Sequence, residues 1–211
     1  MSHDHSHDHP HEALADSADR LTYYQVMEIA VRELLQEKGI FTPADVRHQI
    51  EDMDGRHAGQ GARMVARAWL DAEYKKRMIE DGTQAAEEIG IQVGPLKLVV
   101  VENTEQVHNV IVCTLCSCYP RVLLGLPPDW YKSRNYRSRV VRAPREVLKE
   151  FGTDIADQVT IRVHDSTADM RYLVLPLRPQ GTDGWSEEKL AELVTRDSMI
   201  GTAIAEPPRS N

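Results

Sequence analysis

The segment from residue 109 to residue 121 reads NVIVCTLCSCYPR, and it joins a short apolar run to a cluster of thiols. The run is rich in β-branched residues, which is typical of a strand. The cluster holds all three cysteines of the chain, Cys113, Cys116 and Cys118, within six residues. Three clustered cysteines in a chain that starts without an apolar signal segment indicate a metal or redox site in a reducing compartment. We therefore expect a cytoplasmic protein.

Upstream of this segment the sequence has helical periodicity. Tyr23, Met27, Ala30 and Leu34 step by four, three and four residues, which places them on one helix face. The TPAD sequence at 42–45 starts a second helix, with a threonine cap and a proline in the first helical position. A third helix is predicted over roughly 60–80, where a break stays open, and a short one over 84–88. Residues 17–92 are therefore predicted to form a helical arm.

Downstream of residue 92 the composition shifts to strands. Four runs rich in β-branched residues are predicted to be strands, and they begin at 96 (LKLVVVE), 109 (NVIVCT), 159 (VTIRVHD) and 170 (MRYLVLP). Predicted helices at 145–151 and 186–195 flank them. We expect an α+β fold in which the arm precedes an α/β metal-binding catalytic domain at 93–205, followed by a tail at 206–211.

The chain begins with a tract, MSHDHSHDHPHE, that holds five of the nine histidines. Residues 1–16 are predicted to be a disordered tail, and a loose metal-gathering tail or an expression tag stays open. The net charge of −8 argues against bulk nucleic-acid binding, and no apolar run is long enough for a membrane span.

The segment 119–149 reverses the acidic balance of the chain, because it carries eight Lys or Arg residues against two acidic ones. Three interpretations stay open for it: a solvated basic face, a surface that pairs with an acidic partner subunit, and the mouth of a site that attracts anions. Nucleic acid is not expected, since no aromatic and basic RNA-binding motif accompanies the charge.

The spacing of the cysteines disfavours the commoner thiol sites. A disulfide between Cys116 and Cys118 would close a strained ring, and a redox pair of Cys113 and Cys116 leaves Cys118 unexplained. Structural zinc would need His108 or His164 as a fourth ligand, and an iron–sulfur cluster normally needs four cysteines.

The remaining interpretation uses the spacing directly. The sulfurs of Cys116 and Cys118 and the backbone nitrogens of Ser117 and Cys118 can wrap a metal in a near-planar arrangement, and Cys113 can add an axial sulfur. Amide nitrogens lose their protons only to a strongly acidic metal, so this set favours low-spin trivalent cobalt or iron over zinc. One coordination position stays open for water or substrate. We name residues 113–118 the cysteine claw.

The motif VCTLCSCYP resembles the alpha subunit of nitrile hydratase. The resemblance extends over residues 20–203 through LGLPPDWYKS, YRSRVVRAPREVLKEFG and PLRPQGTDGWSEEKLAELVTRDSMIG. Thr114 resembles the cobalt-type members, whereas iron-type members resemble VCSLCSC. The resemblance implies a helical N-terminal arm followed by a four-layer α/β/β/α domain.

The resemblance also implies a site and a reaction. The metal, Co³⁺ or alternatively Fe³⁺, is bound by Cys113, Cys116, Ser117 and Cys118. Cys116 becomes a sulfinic acid and Cys118 a sulfenic acid, so that Cys116, Ser117 and Cys118 are the catalytic residues. The metal polarises the C≡N group of a nitrile, the sulfenate oxygen acts as nucleophile or base, and water completes the amide.

The family further implies partners. The active site lies at an interface with a beta subunit, in a heterodimer or heterotetramer, and arginines of that subunit hold the oxidised sulfurs. Metal insertion needs an activator protein. We therefore expect this chain to be inactive alone.

One position departs from the nitrile hydratase pattern. Arg121 stands where those enzymes usually have tryptophan, beside Tyr119, and both are predicted to line the substrate pocket. A guanidinium attracts an anion, and the gamma subunit of thiocyanate hydrolase resembles CTLCSCYPR with arginine there. Nitrile hydration is the first expectation and thiocyanate hydrolysis the alternative. An outward Arg121 that pairs with a partner's carboxylate also stays open.

Overall fold

The computed structural model describes residues 21–208. The predicted histidine-rich tail at 1–16 lies outside the described residues, as do the last three residues of the predicted tail at 206–211. The chain divides into two compact units, Met1–Gln49 and Ile50–Asn211.

The described residues form helices and two small parallel sheets. The helices are α1 (Tyr23–Glu37), α2 (Pro43–Asp54), α3 (Gly59–Leu70), α4 (Ala72–Glu80), α5 (Gly82–Glu88), α6 (Arg121–Leu124), α7 (Asp129–Lys132), α8 (Arg134–Arg139), α9 (Pro144–Glu150), α10 (Glu187–Ala191) and α11 (Arg196–Ile200). The strands are β1 (Lys97–Glu102), β2 (Val107–Val112), β3 (Thr160–Asp165) and β4 (Met170–Leu175).

In the first unit, α1 begins at a capping box. The Thr22 hydroxyl accepts from the Gln25 backbone N–H, and the Gln25 side chain accepts from the Thr22 N–H, which is a capping box. None of the residues of α1 is buried, and Tyr23 and Tyr24 are 69% and 79% exposed. The helix prediction is confirmed, and its apolar side chains stay accessible in this unit.

In the second unit, all four predicted strands are present, and they pair in parallel as β1 with β4 and β2 with β3. The register places Val99 opposite Tyr172 and Val112 opposite Asp165. The faces of parallel sheets are normally covered by helices. Here α4 and α5 pack against β1, α9 packs against β3, and α11 packs against β2 and β4. The α+β class is confirmed, and the four-layer arrangement stays a prediction.

The helices between 59 and 88 belong to the core of the second unit. The helix predicted over 60–80 is two helices, because the Asp71 side chain accepts from the N–H groups of Glu73 and Tyr74 and starts α4 anew. Met64, Tyr74 and Met78 are fully buried. The domain boundary at residue 92 stays a prediction, and it marks the change from helices to strands.

The end of α11 contacts the backbone of β2 directly at Gly201. Its φ is +89°, and a Cβ there would lie 2.0 Å from the carbonyl oxygen of Asn109, so the backbones meet directly. His108 Nε2 donates to the Gly201 carbonyl at 2.8 Å. This contact fixes β2 a few residues before the cysteine claw.

No helix within 21–208 is both long and apolar enough to cross a membrane.

Candidate metal centre

The cysteine claw begins where β2 ends. The sulfurs of Cys113, Cys116 and Cys118 lie within 4.8 Å of one another, with 3.4 Å between the first two and 3.3 Å between the last two. These distances exceed the length of a disulfide bond of about 2.05 Å, and the cysteines are free. The Cys116 N–H donates to the Cys113 sulfur at 3.3 Å, which turns the chain back on itself. The predicted convergence of three thiols is present.

The thiols differ in their acidity. Hydrogen bonds from the thiols of Cys118 and Cys113, and then from the Ser117 and Cys118 backbone amides, lower the pKa of Cys116 to about 7. Burial, followed by the hydrogen bond to Cys116, raises the pKa of Cys118 to about 12. Cys116 is therefore ready to act as a thiolate near neutral pH, whereas Cys118 needs a cation to release its proton.

The donor set fits a low-spin trivalent metal. The two amides that act on the Cys116 sulfur are those of Ser117 and Cys118, the same two nitrogens that the spacing predicts as ligands. Three sulfurs and two backbone nitrogens thus come together in one place. Soft thiolates suit cobalt and iron in this role.

The histidines considered as zinc ligands are engaged elsewhere. His108 Nε2 donates to Gly201, and His108 Nδ1 lies 3.3 Å from the Asn103 amide nitrogen. His164 Nε2 lies 2.8 Å from the Asn109 side-chain oxygen. Burial lowers the pKa of both imidazoles. These contacts leave the three thiols without a histidine among the described residues.

Thr114 is held from two sides by residues that the sequence analysis did not identify. The Asp165 carboxylate accepts from the Thr114 N–H at 2.9 Å and from its hydroxyl at 2.5 Å. Arg137 donates to the Thr114 carbonyl at 3.3 Å. Asp165 is 51 positions away in sequence, and only the parallel pairing of β2 with β3 brings it to the claw.

The far end of the claw rests on aromatic residues. The Tyr131 hydroxyl donates to the Cys118 carbonyl at 2.9 Å. The Tyr119 ring packs edge-on against Tyr131, with 5.1 Å between centroids. The Tyr119 hydroxyl is buried without a hydrogen-bond partner among the described residues.

A pocket of about 330 Å³ opens on the claw. Its floor contains Cys116, Ser117 and Cys118, and one wall is apolar. The apolar wall consists of Val93, Leu96, Leu98, Val122 and Leu123. Three arginines, Arg56, Arg121 and Arg171, also line it, and none of its described lining residues carries a carboxylate. The pocket therefore combines apolar and cationic surface next to the thiols.

The arginines differ in their surroundings. Arg121 is exposed at the start of α6, and its guanidinium has no ion pair or hydrogen bond among the described residues. Arg171 lies opposite Leu98 in the β1–β4 register, and its charge offsets part of the rise that burial causes in the pKa of Cys118. Its Nε is buried without a partner in the described part of the chain. The sequence predicted Arg121 and Tyr119 in this pocket but missed Arg56 and Arg171, which carry no motif.

Comparisons of the sequence with known proteins identify relatives of this chain. The family described as nitrile hydratase, alpha chain, matches residues 22–203. The cobalt-containing nitrile hydratase alpha subunit of Pseudonocardia thermophila is 52% identical over 183 residues, covering 83% of this chain and 88% of that one. The thiocyanate hydrolase gamma subunit of Thiobacillus thioparus is 46% identical over 205 residues, covering 92% of this chain and 84% of that one.

A solved structure extends the comparison to the fold. An Fe-type nitrile hydratase from Comamonas testosteroni, a double mutant, superimposes with a TM-score of 0.80 at 44% identity, covering 89% of this chain and 94% of that one. Cobalt and iron therefore both occur among proteins similar to this one, and the three thiols fit either metal. With its claw, its strands and almost its whole length matched, the chain belongs to the nitrile hydratase alpha-chain family.

Proposed function

We propose that this chain is the metal-binding catalytic subunit of an enzyme that hydrates carbon–nitrogen triple bonds, and that it converts nitriles to amides. The observation that carries the proposal is the meeting of three thiols beside a pocket that Cys116 and Cys118 line together with apolar side chains. A neutral nitrile with a short hydrocarbon group suits that wall.

The metal would be held by the sulfurs of Cys113, Cys116 and Cys118 and by the backbone nitrogens of Ser117 and Cys118. When bound, low-spin trivalent cobalt, or iron in its place, supplies a Lewis acid next to the nitrile. Cobalt is the first choice because Thr114 resembles the cobalt-type members.

The exposure of the sulfurs supports the proposed oxidation of two cysteines. Cys116 is exposed and has the lowered pKa, so it is the thiol most open to oxidation, here to a sulfinic acid with dioxygen or a peroxide as the external oxidant. Cys118 is half-buried at the pocket floor and would stop at the sulfenic acid. Cys113 is 1% exposed and would stay a thiolate.

The reaction adds one water to the nitrile, so that R–C≡N and H₂O give R–CO–NH₂. The apolar wall orients the hydrocarbon group and leaves the nitrile carbon over the floor of the pocket. The Cys118 sulfenate oxygen removes a proton from the attacking water, or attacks that carbon itself. In the second case water then adds to the same carbon while the bond between the carbon and the sulfenate oxygen breaks, which restores the sulfenate. Both hydrogens of the water end on the nitrogen, and the amide leaves by the open side of the pocket.

The chain is proposed to work with a beta subunit, in a heterodimer or heterotetramer, and to receive its metal from an activator protein. Leu115, within the claw, is 90% exposed, and an apolar side chain in that position suits a covered interface. The apolar side chains of α1 are similarly uncovered. Arginines of the beta subunit would hold the oxidised sulfurs.

Purified complex from cobalt-supplemented cells tests the proposal. Acetonitrile should yield acetamide, and a mass gain of two oxygens on Cys116 and one on Cys118 should be found. Cys118→Ser should abolish turnover, whereas deletion of residues 1–12, the matched control, should leave turnover of the loaded complex intact. Unmodified thiols with stoichiometric zinc would contradict the assignment.

Thiocyanate is the second candidate substrate, and the unpaired guanidinium of Arg121 favours it. Two other cations of the basic segment are engaged within the chain, since Arg139 pairs with Glu150 and Arg145 donates to the Ile155 and Ala156 carbonyls. Arg121 differs from the segment's remaining exposed arginines in that it lines the pocket. The balanced reaction is SCN⁻ + 2 H₂O → COS + NH₃ + OH⁻. An anion would gain from the arginines of the pocket, which a neutral nitrile does not need.

The same complex separates the two substrates. Ammonia and carbonyl sulfide from thiocyanate, without amide from acetonitrile, would replace nitrile hydration by thiocyanate hydrolysis. In that case Arg121→Leu should raise the KM for thiocyanate. Arg142→Leu, an exposed arginine of the same basic segment that does not line the pocket, is the matched control.

A further inference from the structure

Tyr131 is a polar residue without solvent exposure, and its hydroxyl donates a hydrogen bond to the cysteine claw. It lies in the short helix α7, is 0% exposed, and donates to the Cys118 carbonyl at 2.9 Å. Buried hydroxyls normally donate to a fixed acceptor, because an unmet one is costly. Here the acceptor is the carbonyl of Cys118, the last of the proposed metal ligands along the chain.

The ring of Tyr131 is enclosed on several sides. Tyr119 meets it edge-on at 5.1 Å, Tyr136 lies at 5.7 Å, and Trp130 lies at 6.0 Å between centroids. A ring packed in this way cannot swing its hydroxyl to another partner without disturbing its neighbours. The hydrogen bond therefore has a fixed direction.

The orientation of the Cys118 carbonyl matters because Cys118 supplies two of the five proposed donor atoms, its sulfur and its amide nitrogen. The carbonyl, the amide nitrogen and the side chain are all attached to the Cys118 Cα atom, so holding the carbonyl in place limits how this Cα and both of its donors can turn. The claw is a loop, so no strand ladder fixes this peptide. Ligands at metal sites are typically oriented by such outer contacts.

We propose that Tyr131 is a positioning residue for the metal site. Its hydroxyl holds the Cys118 carbonyl, so that the sulfur and the amide nitrogen of Cys118 face the metal together. This inference rests on the proposed function for the metal ligands and for its kinetic readout.

The chain contains a matched control in Tyr136. It is 4% exposed, belongs to the same aromatic cluster, and donates to a backbone carbonyl, that of Ile111, at 2.8 Å. Ile111 lies within β2, whose backbone is already held by its pairing with β3. Removing the Tyr136 hydroxyl removes a hydrogen bond of the same kind without releasing the claw.

The test compares wild type, Tyr131→Phe and Tyr136→Phe as cobalt-loaded complexes. The first readout is nuclear magnetic resonance with carbonyl-labelled cysteine and nitrogen-labelled tyrosine, because Cys118–Tyr119 is the one Cys–Tyr peptide of the chain. Partner subunits contribute the same signals to all three samples, and low-spin cobalt(III) is diamagnetic. The second readout is the sulfur-to-cobalt absorption, and the third is kcat and KM with whichever of acetonitrile and thiocyanate the wild type consumes.

We expect Tyr131→Phe to move the Cys118–Tyr119 signal, to shift the absorption band and to lower kcat about tenfold with KM within about twofold. Tyr136→Phe should leave all three near wild type. Equal effects of the two variants, or none, would overturn the proposal. A wild type without activity but with the spectral differences would refute the proposed function alone.

The wild type by itself also tests the contact, in case Tyr131→Phe does not assemble. Its Cys118 carbonyl should show the chemical shift of a hydrogen-bonded carbonyl. A shift typical of an unbonded carbonyl would overturn the inference without any variant.

Discussion

Replacing Gly201 by alanine should destabilise the protein far more than the loss of a glycine alone. A Cβ at this position would lie 2.0 Å from the Asn109 carbonyl oxygen and 2.9 Å from the Asn109 carbonyl carbon and from Val110 Cα. All three atoms are backbone, so no side chain can turn away. Cβ contacts under 3.0 Å are essentially never found, so the end of α11 must move by about 1 Å from β2.

Three contributions set the magnitude. Alanine at φ +89° costs about 1–2 kcal/mol. Forcing the extra methyl group against β2 adds about 1–3 kcal/mol. The displacement also stretches the 2.8 Å hydrogen bond from His108, and a buried group left unmet costs about 1–3 kcal/mol. These effects overlap, so we expect a loss of about 3–5 kcal/mol in the free energy of unfolding.

Gly181→Ala is the matched control. Its φ is +76°, yet nothing lies within 4 Å of the added Cβ, so it shares only the backbone cost of about 1–2 kcal/mol. Urea unfolding of both variants, followed by far-ultraviolet circular dichroism, gives the difference in stability. If Gly201→Ala costs no more than Gly181→Ala, the direct backbone contact between α11 and β2 is not what holds this region.

Three further predictions concern the site and its support. Asp165→Asn should lower the cobalt retained per chain by about tenfold, because one oxygen no longer accepts from Thr114; unchanged cobalt per chain by elemental analysis would contradict this. Stability should fall as the pH drops below about 6.5, because burial keeps the His108 pKa below its usual value and the unfolded chain binds the proton first; His108→Gln should flatten that slope in urea titrations. Chelator should leave the metal in place for hours if it is low-spin cobalt(III), whereas rapid loss would indicate a labile divalent ion.

The sequence was sufficient for the features that depend on local spacing. The cysteines of the claw lie within a few residues of one another, and so do the β-branched residues of each strand. Both patterns can therefore be recognised from the sequence before the fold is known. The capping box of α11 was equally local, with Thr195 and Ser198 three residues apart, but the helix predicted over 186–195 absorbed it. The structure ends α10 at Ala191 instead.

Short helices and distant contacts could not be predicted in this way. Helices α6, α7 and α8 have four to six residues, too few to show a helical period. The Asp165 contact with Thr114 depends on the register of β3 against β2, and the place of Arg171 in the pocket depends on the register of β4 against β1. Neither register follows from composition.

The two sheets also explain why one pocket can combine thiols with cationic and apolar surface. Cys113 follows the carboxyl end of β2, and Asp165 ends β3, so this sheet supplies a proposed ligand and the support of its loop. Leu98 and Arg171 lie near the amino ends of β1 and β4, and both line the pocket. Ligand sites commonly form at the carboxyl ends of parallel strands, and here the amino ends of a second sheet complete the wall. The proposed metal ligands are therefore anchored by β2 and β3, whereas the strand residues that line the pocket come from β1 and β4.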